Sequence, residues 1–194
     1  MAPLLVICHL RPDSLTRAAA QRVVAGLEKA GEAVRVLDLE AEDFEACLSL
    51  EEKLHYDAGP ESRPELRAHF DALEWATRIV FVYPTSFSGH PARLKGWFDR
   101  VCIPGVAFDA PAGTTRAKRR LTNIRRLEVV TTHGSSRWIN LLQAHSGQRL
   151  IFRSLLAVCH PLCTVRRTTI YGLDHLSEAE VQAWLDTVEA RFAR

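Results

Sequence analysis

The chain has 194 residues, of which 47% are hydrophobic and 25% are charged, and its formal net charge is +2. This size fits one domain with a full hydrophobic core, which we expect to span residues 1–194. No apolar run is long enough for a membrane helix and no signal-peptide pattern opens the sequence, so we expect a cytoplasmic protein. The spacings of its cysteines and histidines predict neither a metal site nor a disulfide framework.

Strand and helix patterns alternate from the start of the chain. Residues 3–8, PLLVIC, predict a strand that is buried on both faces. Asp13 or Ser14 is expected to cap a helix that ends at Gly31. Residues 33–39 alternate in polarity and predict a second strand. This order favours a parallel sheet with right-handed crossovers.

The middle of the chain leads into a third strand. Residues 42–63 have little period and predict irregular structure with a helical turn near residues 49–55. Pro64 then begins a helix through Trp75, with an apolar stripe typical of core packing. The apolar run over residues 79–83 predicts the third strand.

The second half predicts two further strands and two helices. Residues 109–120 are expected to form a loop that becomes basic. The remaining elements are expected as strands over residues 125–131 and 162–171, a helix over residues 138–160 interrupted near Ser146 and Gly147, and a last helix from Ser177 to Phe192.

The loop after the first strand contains groups that suit an anion. A helix N-terminus offers free N–H donors and a positive dipole end. His9, Ser14, Thr16 and Arg17 lie close to it in the sequence, so a phosphate would be well held there. Ordinary helix capping explains the same residues, and from the residues alone it is the favoured interpretation.

A second polar loop follows the third strand. Thr85, Ser86 and Ser88 surround Phe87 and precede Pro91, which opens a helix. Ligands of open parallel sheets bind at the carboxyl ends of strands. Short hydroxyls and one aromatic face would suit a flat ring with polar edges, although such hydroxyls also serve as caps for the next helix.

Residues 83–101, YPTSFSGHPARLKGWFDRV, resemble the signature P-x-x-x-x-x-x-P-A-x-L-K-G-W-[FL]-[DE]-R-V of the flavodoxin-like NAD(P)H:quinone oxidoreductases. The resemblance implies an α/β fold: a three-layer sandwich with a five-stranded parallel sheet in the order 2-1-3-4-5 and helices on both faces. It covers most of the chain and is strongest over these residues.

The same resemblance implies where a bound FAD or FMN would lie. The loop of form S-H-x-x-x-x-S-x-[NT] grips the cofactor phosphates, and Thr131, Thr132, His133 and Gly134 correspond to a T-T-G-G turn at the flavin pyrimidine edge. The cofactor residues implied are His9, Ser14, Leu15, Thr16, Pro84, Thr85, Ser86, Phe87, Ser88, Thr131, Thr132, His133 and Gly134.

Three departures from the family pattern affect this site. Phe87 is the one large aromatic residue left in its loop, so the flavin edge is expected to be open and wet. His133 replaces a glycine and adds bulk. The tyrosine of the family's V-x-D-L-Y is absent after Asp38 and Leu39.

The resemblance implies a reductase that works in two halves. NAD(P)H donates a hydride to flavin N5, and an acceptor such as a quinone then takes the electrons from the same face. Backbone donors from Thr132 to Gly134 would stabilise the negative charge that develops. His145 and His133 are candidates for proton balance, although each taken singly fits an ordinary hydrogen bond better. Phe87 is expected to border the acceptor, and Phe108 either borders this pocket or fills the core.

The sequence is also compatible with other functions, and it allows predictions about partners. Family members are commonly homodimers, so we expect a homodimer. The altered loops also fit a regulatory or ancillary subunit, for example of an ion-transport system, whereas a flavodoxin electron shuttle is expected to be more acidic. The basic residues between Arg116 and Arg126 are interpreted as a solvated surface, with Arg119 and Arg120 as a hypothetical site for the 2′-phosphate of NADPH or for an anionic substrate. No aromatic interleaving indicates nucleic-acid binding.

Overall fold

The computed structural model describes residues 1–110, 113, 117–143 and 146–194. A five-stranded parallel sheet forms its centre, with the strand order β2-β1-β3-β6-β7. This confirms the predicted order 2-1-3-4-5, since β6 and β7 are the fourth and fifth strands of this sheet. The strands are β1 (Pro3–Ile7), β2 (Arg35–Asp38), β3 (Arg78–Pro84), β4 (Phe108–Asp109), β5 (Lys118–Arg119), β6 (Arg126–Thr132) and β7 (Thr164–Ile170).

Helices cover both faces of the sheet and give three layers. On β3, Ile79, Phe81 and Tyr83 point into one core, and Val80 and Val82 point into the other. The first core packs against α3 and α4, and the second against α1 and α8. The α-helices are α1 (Leu15–Lys29), α2 (Leu50–Leu54), α3 (Arg67–Trp75), α4 (Ala92–Val101), α5 (Arg137–Leu142), α6 (Ser146–Arg149), α7 (Leu156–Val158) and α8 (Glu178–Phe192).

Capping residues fix where several helices begin. Ser14 accepts a hydrogen bond from the N–H of Arg17 and caps α1. Ser49 and Ser177 form reciprocal capping boxes with Glu52 and Glu180 at the starts of α2 and α8. These boxes satisfy backbone donors that would otherwise be unpaired, so the helix starts follow directly from the sequence.

Two local features differ from the sequence expectation. Part of the segment expected as a loop over residues 109–120 belongs to a short antiparallel pair, in which Phe108 is opposite Arg119 and Asp109 is opposite Lys118. The helix expected over residues 138–160 ends first at Leu142 and resumes at Ser146, close to the expected interruption, but it then contains a π-helical segment (Leu150–Leu155) between α6 and α7. Short 3₁₀ turns occupy Tyr56–Ala58, Pro60–Ser62, Pro64–Leu66 and Leu173–His175.

The parallel arrangement brings three loops to one edge of the sheet. The segments after β1, β3 and β6 all leave the carboxyl ends of neighbouring strands. We refer to residues 9–14, 84–91 and 133–136 as the carboxyl-edge loops. Within the described part of the chain, no helix is both long enough and apolar enough to cross a membrane.

Candidate functional site

Hydrogen bonds hold the three carboxyl-edge loops together. The hydroxyls of Thr16 and Thr132 are 2.8 Å apart, and both side chains are buried. The backbone N–H of Thr85 donates to the carbonyl of Thr132 at 3.0 Å, and its hydroxyl also points to that carbonyl. Thr132 therefore connects the helix after β1 with the loop after β3. The three loops therefore form one continuous surface at this edge.

The start of α1 offers unpaired donors at this surface. In the described structure, the N–H groups of Leu15 and Thr16 have no hydrogen-bond acceptor, whereas Ser14 caps the N–H of Arg17. Burial lowers the pKa of His9, so its ring is neutral near pH 7, and Nδ1 accepts from the N–H of Arg11. Free N–H groups at a helix N-terminus are suited to a phosphate.

Arg17 has a different role from the phosphate contact that its position suggests. Its guanidinium forms a bidentate ion pair with Asp38 at the end of β2 and also donates to the carbonyl of His9. Asp38 in turn accepts from the N–H groups of Glu40 and Ala41. The pair thus fixes the loop after β1 against β2. This ion pair was not predicted from the sequence, although an acidic residue at the end of a strand was a usable signal.

Ser86 and Gly89 close a tight turn that presents Phe87. The N–H of Gly89 donates to the carbonyl of Ser86 at 2.8 Å, and the reverse bond is 3.2 Å. Phe87 and Ser88 have φ values of 45° and 63°, as in a type I′ turn, which normally prefers Gly or Asn. The Phe87 side chain is fully exposed. A bulky residue in this strained backbone is typical of a functional position.

The turn rests on α6 and on His90. The N–H of Gly147 donates to the carbonyl of Ser88, and a Cβ at Gly147 would lie 3.0 Å from the carbonyl carbon of Gly89. Below the turn, the ring of His90 packs against Tyr83 and Phe98. Burial lowers the pKa of His90 to about 4, so this side chain is neutral at pH 7.

The loop after β6 begins with buried side chains. The side chains of Thr131 and His133 are buried, and His133 Nε2 lies 3.1 Å from the hydroxyl of Thr131. His133 also packs on Tyr171, and its N–H donates to the carbonyl of Ile170. Its φ is not positive, so the replacement of glycine introduces no left-handed strain. These two side chains point into the core and away from the carboxyl edge.

Donors remain available one step further along this loop. In the described part of the chain, the N–H groups of Gly134 and Ser135 have no acceptor. Asn140 fixes the loop by donating to the carbonyls of Ser135 and Ser136 and to the hydroxyl of Ser135. The available backbone donors are therefore those of Gly134 and Ser135, whereas the sequence predicted donors from Thr132 to Gly134. Asn140 was not predicted from the sequence.

Phe108 and the basic residues lie away from the loops within one chain. Phe108 packs against the core near the last turn of α4, whose first turn adjoins the loop after β3. The ten residues of α4 separate Phe108 from the loop after β3, a helix length of about 15 Å. Arg120 pairs with Asp109 at 3.1 Å and lies directly after β5. The candidate His145 lies outside the described residues.

The donor set at the carboxyl edge fits a flavin nucleotide. Unpaired N–H groups at the start of α1 suit phosphate oxygens, and those of Gly134 and Ser135 suit the polar edge of a ring. Pro84, the last residue of β3, and Thr85 lie between these two donor groups, beside the turn of Ser86 to Ser88. Among the described residues, no group of three or more histidine, cysteine or acidic side chains is placed to hold a metal ion.

Comparisons with known proteins agree with this fold. A family model described as flavodoxin-like fold matches residues 1–192. NAD(P)H dehydrogenase [quinone] 1 of Rattus norvegicus is 30% identical over 200 residues, covering 92% of this chain and 72% of its own. The structure of NAD(P)H:quinone oxidoreductase from Methanothermobacter marburgensis has a TM-score of 0.84 at 22% identity, covering 100% of this chain and 98% of its own. An FMN-dependent NADH-azoreductase from Bacillus anthracis in complex with FMN has a TM-score of 0.77 at 15% identity, covering 100% and 99%.

Proposed function

Because the chain belongs to the flavodoxin-like family that includes the NAD(P)H dehydrogenases (quinone), and is an oxidoreductase, we propose that it is a flavin-dependent NAD(P)H reductase of quinones or related acceptors. The convergence of the three carboxyl-edge loops on Thr132 is the observation that carries this proposal. It supports a single surface with phosphate donors at one end and ring donors at the other.

The residues of this chain hold and orient the cofactor in the proposal. The N–H groups of Leu15 and Thr16 bind phosphate, with neutral His9 beside them. Gly134 and Ser135 donate to the pyrimidine edge, where preorganised N–H groups stabilise developing negative charge. When bound, FAD or FMN supplies hydride transfer from NAD(P)H to the acceptor in a ping-pong order. The FMN named in the azoreductase complex supports FMN as one of the two choices.

The acceptor in the proposal binds against Phe87. Its exposed ring at the tip of a strained turn provides an aromatic surface beside the flavin position. A quinone is the acceptor class supported by the name of the Rattus norvegicus relative. His145 remains a prediction as the residue that balances the proton. The buried contacts of His133 with Thr131 and Tyr171 favour a role in positioning the loop.

A homodimer is part of the proposal, and an exposed apolar surface supports it. Trp138 and Leu142 lie one helical turn apart on α5 and are 76% and 85% exposed. Contiguous exposed apolar side chains are typical of association surfaces. Light scattering should give a dimer for the natural chain and a monomer for Trp138→Ser/Leu142→Ser. A natural chain that is monomeric at assay concentration would exclude the dimer.

The compartment proposed is the cytoplasm. All five cysteines are free thiols in the structure, and such thiols are usual in a reducing compartment. Labelling with a thiol reagent that cannot cross membranes, applied to intact and lysed cells, checks this point. Modification only after lysis is the expected result, and equal modification in both would contradict it.

Steady-state turnover tests the proposed activity. The protein reconstituted with FAD or FMN should oxidise NAD(P)H with a quinone, and double-reciprocal plots at several quinone concentrations should be parallel. A regulatory or ancillary subunit would bind flavin but turn over slowly with every quinone, nitro and azo acceptor tried. Intersecting lines would retain a reductase but exclude the ping-pong order.

A further inference from the structure

A groove lies between helix α5 and the edge strand β7. Its volume is about 440 Å³, and its lining residues are Arg137, Leu141, Arg167, Thr169 and Tyr171. Arg137 and Leu141 are one helical turn apart on α5. Arg167 and Thr169 on β7 and Tyr171 directly after it alternate along the chain and therefore share one face of the sheet. The groove is thus lined by two cationic side chains, a hydroxyl, a phenol and an apolar side chain.

The two arginines of this groove have no anionic partner within the described structure. Neither Arg137 nor Arg167 forms an ion pair or donates a side-chain hydrogen bond to another described residue. Other arginines of the chain are paired, as Arg17 is with Asp38 and Arg100 with Glu52. Two guanidinium groups at one groove repel each other, and an oxyanion bound between them would remove that repulsion.

The groove adjoins the carboxyl-edge loops. The ring of Tyr171 is 4.9 Å from that of His133, whose N–H is bonded to the carbonyl of Ile170 on β7. The hydroxyls of Thr169 and Thr131 are 3.2 Å apart across the two strands. Asn140 ties α5 to Ser135 and Ser136. A ligand whose flat ring lies over these loops could therefore extend a charged group into the groove.

We propose that this groove is an oxyanion subsite, in which Arg137 and Arg167 bind a phosphate of NAD(P)H or a sulfonate or carboxylate of the acceptor. The proposal rests on the function proposed above. Arginine is suited to this role because its planar fork can donate two hydrogen bonds to one oxyanion. The proposed subsite would bind the negative charge of the ligand beside the loop after β6. Arg119 and Arg120, the residues considered for this role from the sequence, lie in or next to the short β4–β5 pair instead.

The acidic residue Asp174 lies near this end of the sheet. Its carboxylate lies 4.0 Å from the position of a Cβ at Gly134, which places it beside the loop after β6. It forms no ion pair with a described arginine. Its negative charge favours a ligand oxyanion that is held on the side of β7, away from Asp174.

Calorimetry with small anionic probes tests the subsite without turnover. Adenosine 2′,5′-bisphosphate represents the dinucleotide, and anthraquinone-2-sulfonate represents an anionic acceptor. The variants are Arg137→Gln, Arg167→Gln and their combination. Arg166→Gln is the matched control, because Arg166 is exposed on the same strand but faces the opposite side of the sheet.

At least one probe should bind the natural chain, and its affinity should fall about tenfold or more in the double variant, as expected for the loss of charge-assisted hydrogen bonds. The affinity in Arg166→Gln should change little, and added salt should weaken binding to the natural chain more than to the double variant. Loss for the bisphosphate identifies the dinucleotide as the source of the oxyanion. Loss for the sulfonate alone identifies the acceptor.

The subsite would be contradicted if neither probe bound, or if the double variant and Arg166→Gln bound both probes as well as the natural chain does. Increased aggregation of the double variant without a change in affinity would instead assign the arginines to protection of an edge strand. The outcome is separate from that of the reductase proposal. Probe binding that depends on Arg137 and Arg167 would support the subsite even in a protein that NAD(P)H does not reduce.

Discussion

Thr16 and Thr132 share a buried hydrogen bond of 2.8 Å between their hydroxyls. Thr16 is in the first turn of α1 and Thr132 is the last residue of β6. The bond thus joins the proposed phosphate site to the proposed ring site through one contact. Both groups are buried, so loss of one hydroxyl leaves the other without a partner.

Thr16→Val is expected to reduce both stability and flavin affinity. The buried hydroxyl of Thr132 would lose its partner, at a cost of about 1 to 2 kcal/mol in the free energy of unfolding. Urea unfolding and a fluorescence titration with FAD and FMN measure the two effects. Thr16→Ser, which keeps the hydroxyl, is the control. Equal behaviour of the two variants would show that the bond does not position the loops.

Phe87→Gly should stabilise the fold while weakening acceptor binding. Glycine relieves the left-handed backbone, which costs a side-chain-bearing residue about 1 kcal/mol, and the lost ring was fully exposed. The KM for a quinone should rise several-fold. Phe87→Tyr keeps the ring and should retain the natural stability and KM. If Phe87→Gly left the KM unchanged, Phe87 would not border the acceptor.

Gly147→Ala should disturb the turn that carries Phe87. An added Cβ would lie 3.0 Å from the backbone of Gly89, and such overpacking costs about 1 kcal/mol or more. We expect weaker flavin binding, because the loop after β3 must shift. Gly89→Ala is the control, since its Cβ would meet nothing closer than 3.6 Å. Equal flavin affinity in both variants would contradict the packing argument.

His90 should make the protein less stable in mild acid. Its pKa is about 4 in the folded state because of burial, against about 6.5 in an unfolded chain. The unfolded state therefore takes up a proton first as the pH falls, and stability is lost from about pH 6.5 down to pH 4. Between pH 7 and pH 5 this amounts to about 2 kcal/mol.

Urea unfolding at pH 7 and pH 5 measures this effect by comparison with His90→Leu. The natural chain should lose about 2 kcal/mol more than the variant over this interval. Other titrating groups, including His69, are present in both proteins and cancel in the difference. A difference near zero would mean that His90 can be protonated without cost in the folded state.

The strand order and the places of the three loops could be predicted from the sequence. The buried strands β1 and β3 read as continuous apolar runs, and Ser14 and Ser177 marked helix starts. The pair of β4 and β5 could not be predicted, because two-residue strands have no measurable period.

The orientation of the site side chains could be predicted from the sequence only in part. Thr131 shares the parity of Leu127 and Val129 along β6, which places it in the core, so period-two alternation was a signal for its burial. Arg137 and Arg167 lie 30 positions apart in the sequence. Their shared groove depends on how α5 packs beside β7, which no local pattern encodes.

Anaerobic visible spectroscopy shows whether the carboxyl-edge loops bind a flavin that NAD(P)H reduces. The purified protein, supplied with FAD or FMN, should show a flavin spectrum, and NADPH or NADH added without oxygen should bleach it rapidly. Addition of a quinone should then restore the oxidised spectrum. A protein that takes up neither flavin, or whose bound flavin stays oxidised with both nicotinamides, would contradict the assignment of the carboxyl-edge loops as the site of an NAD(P)H reductase.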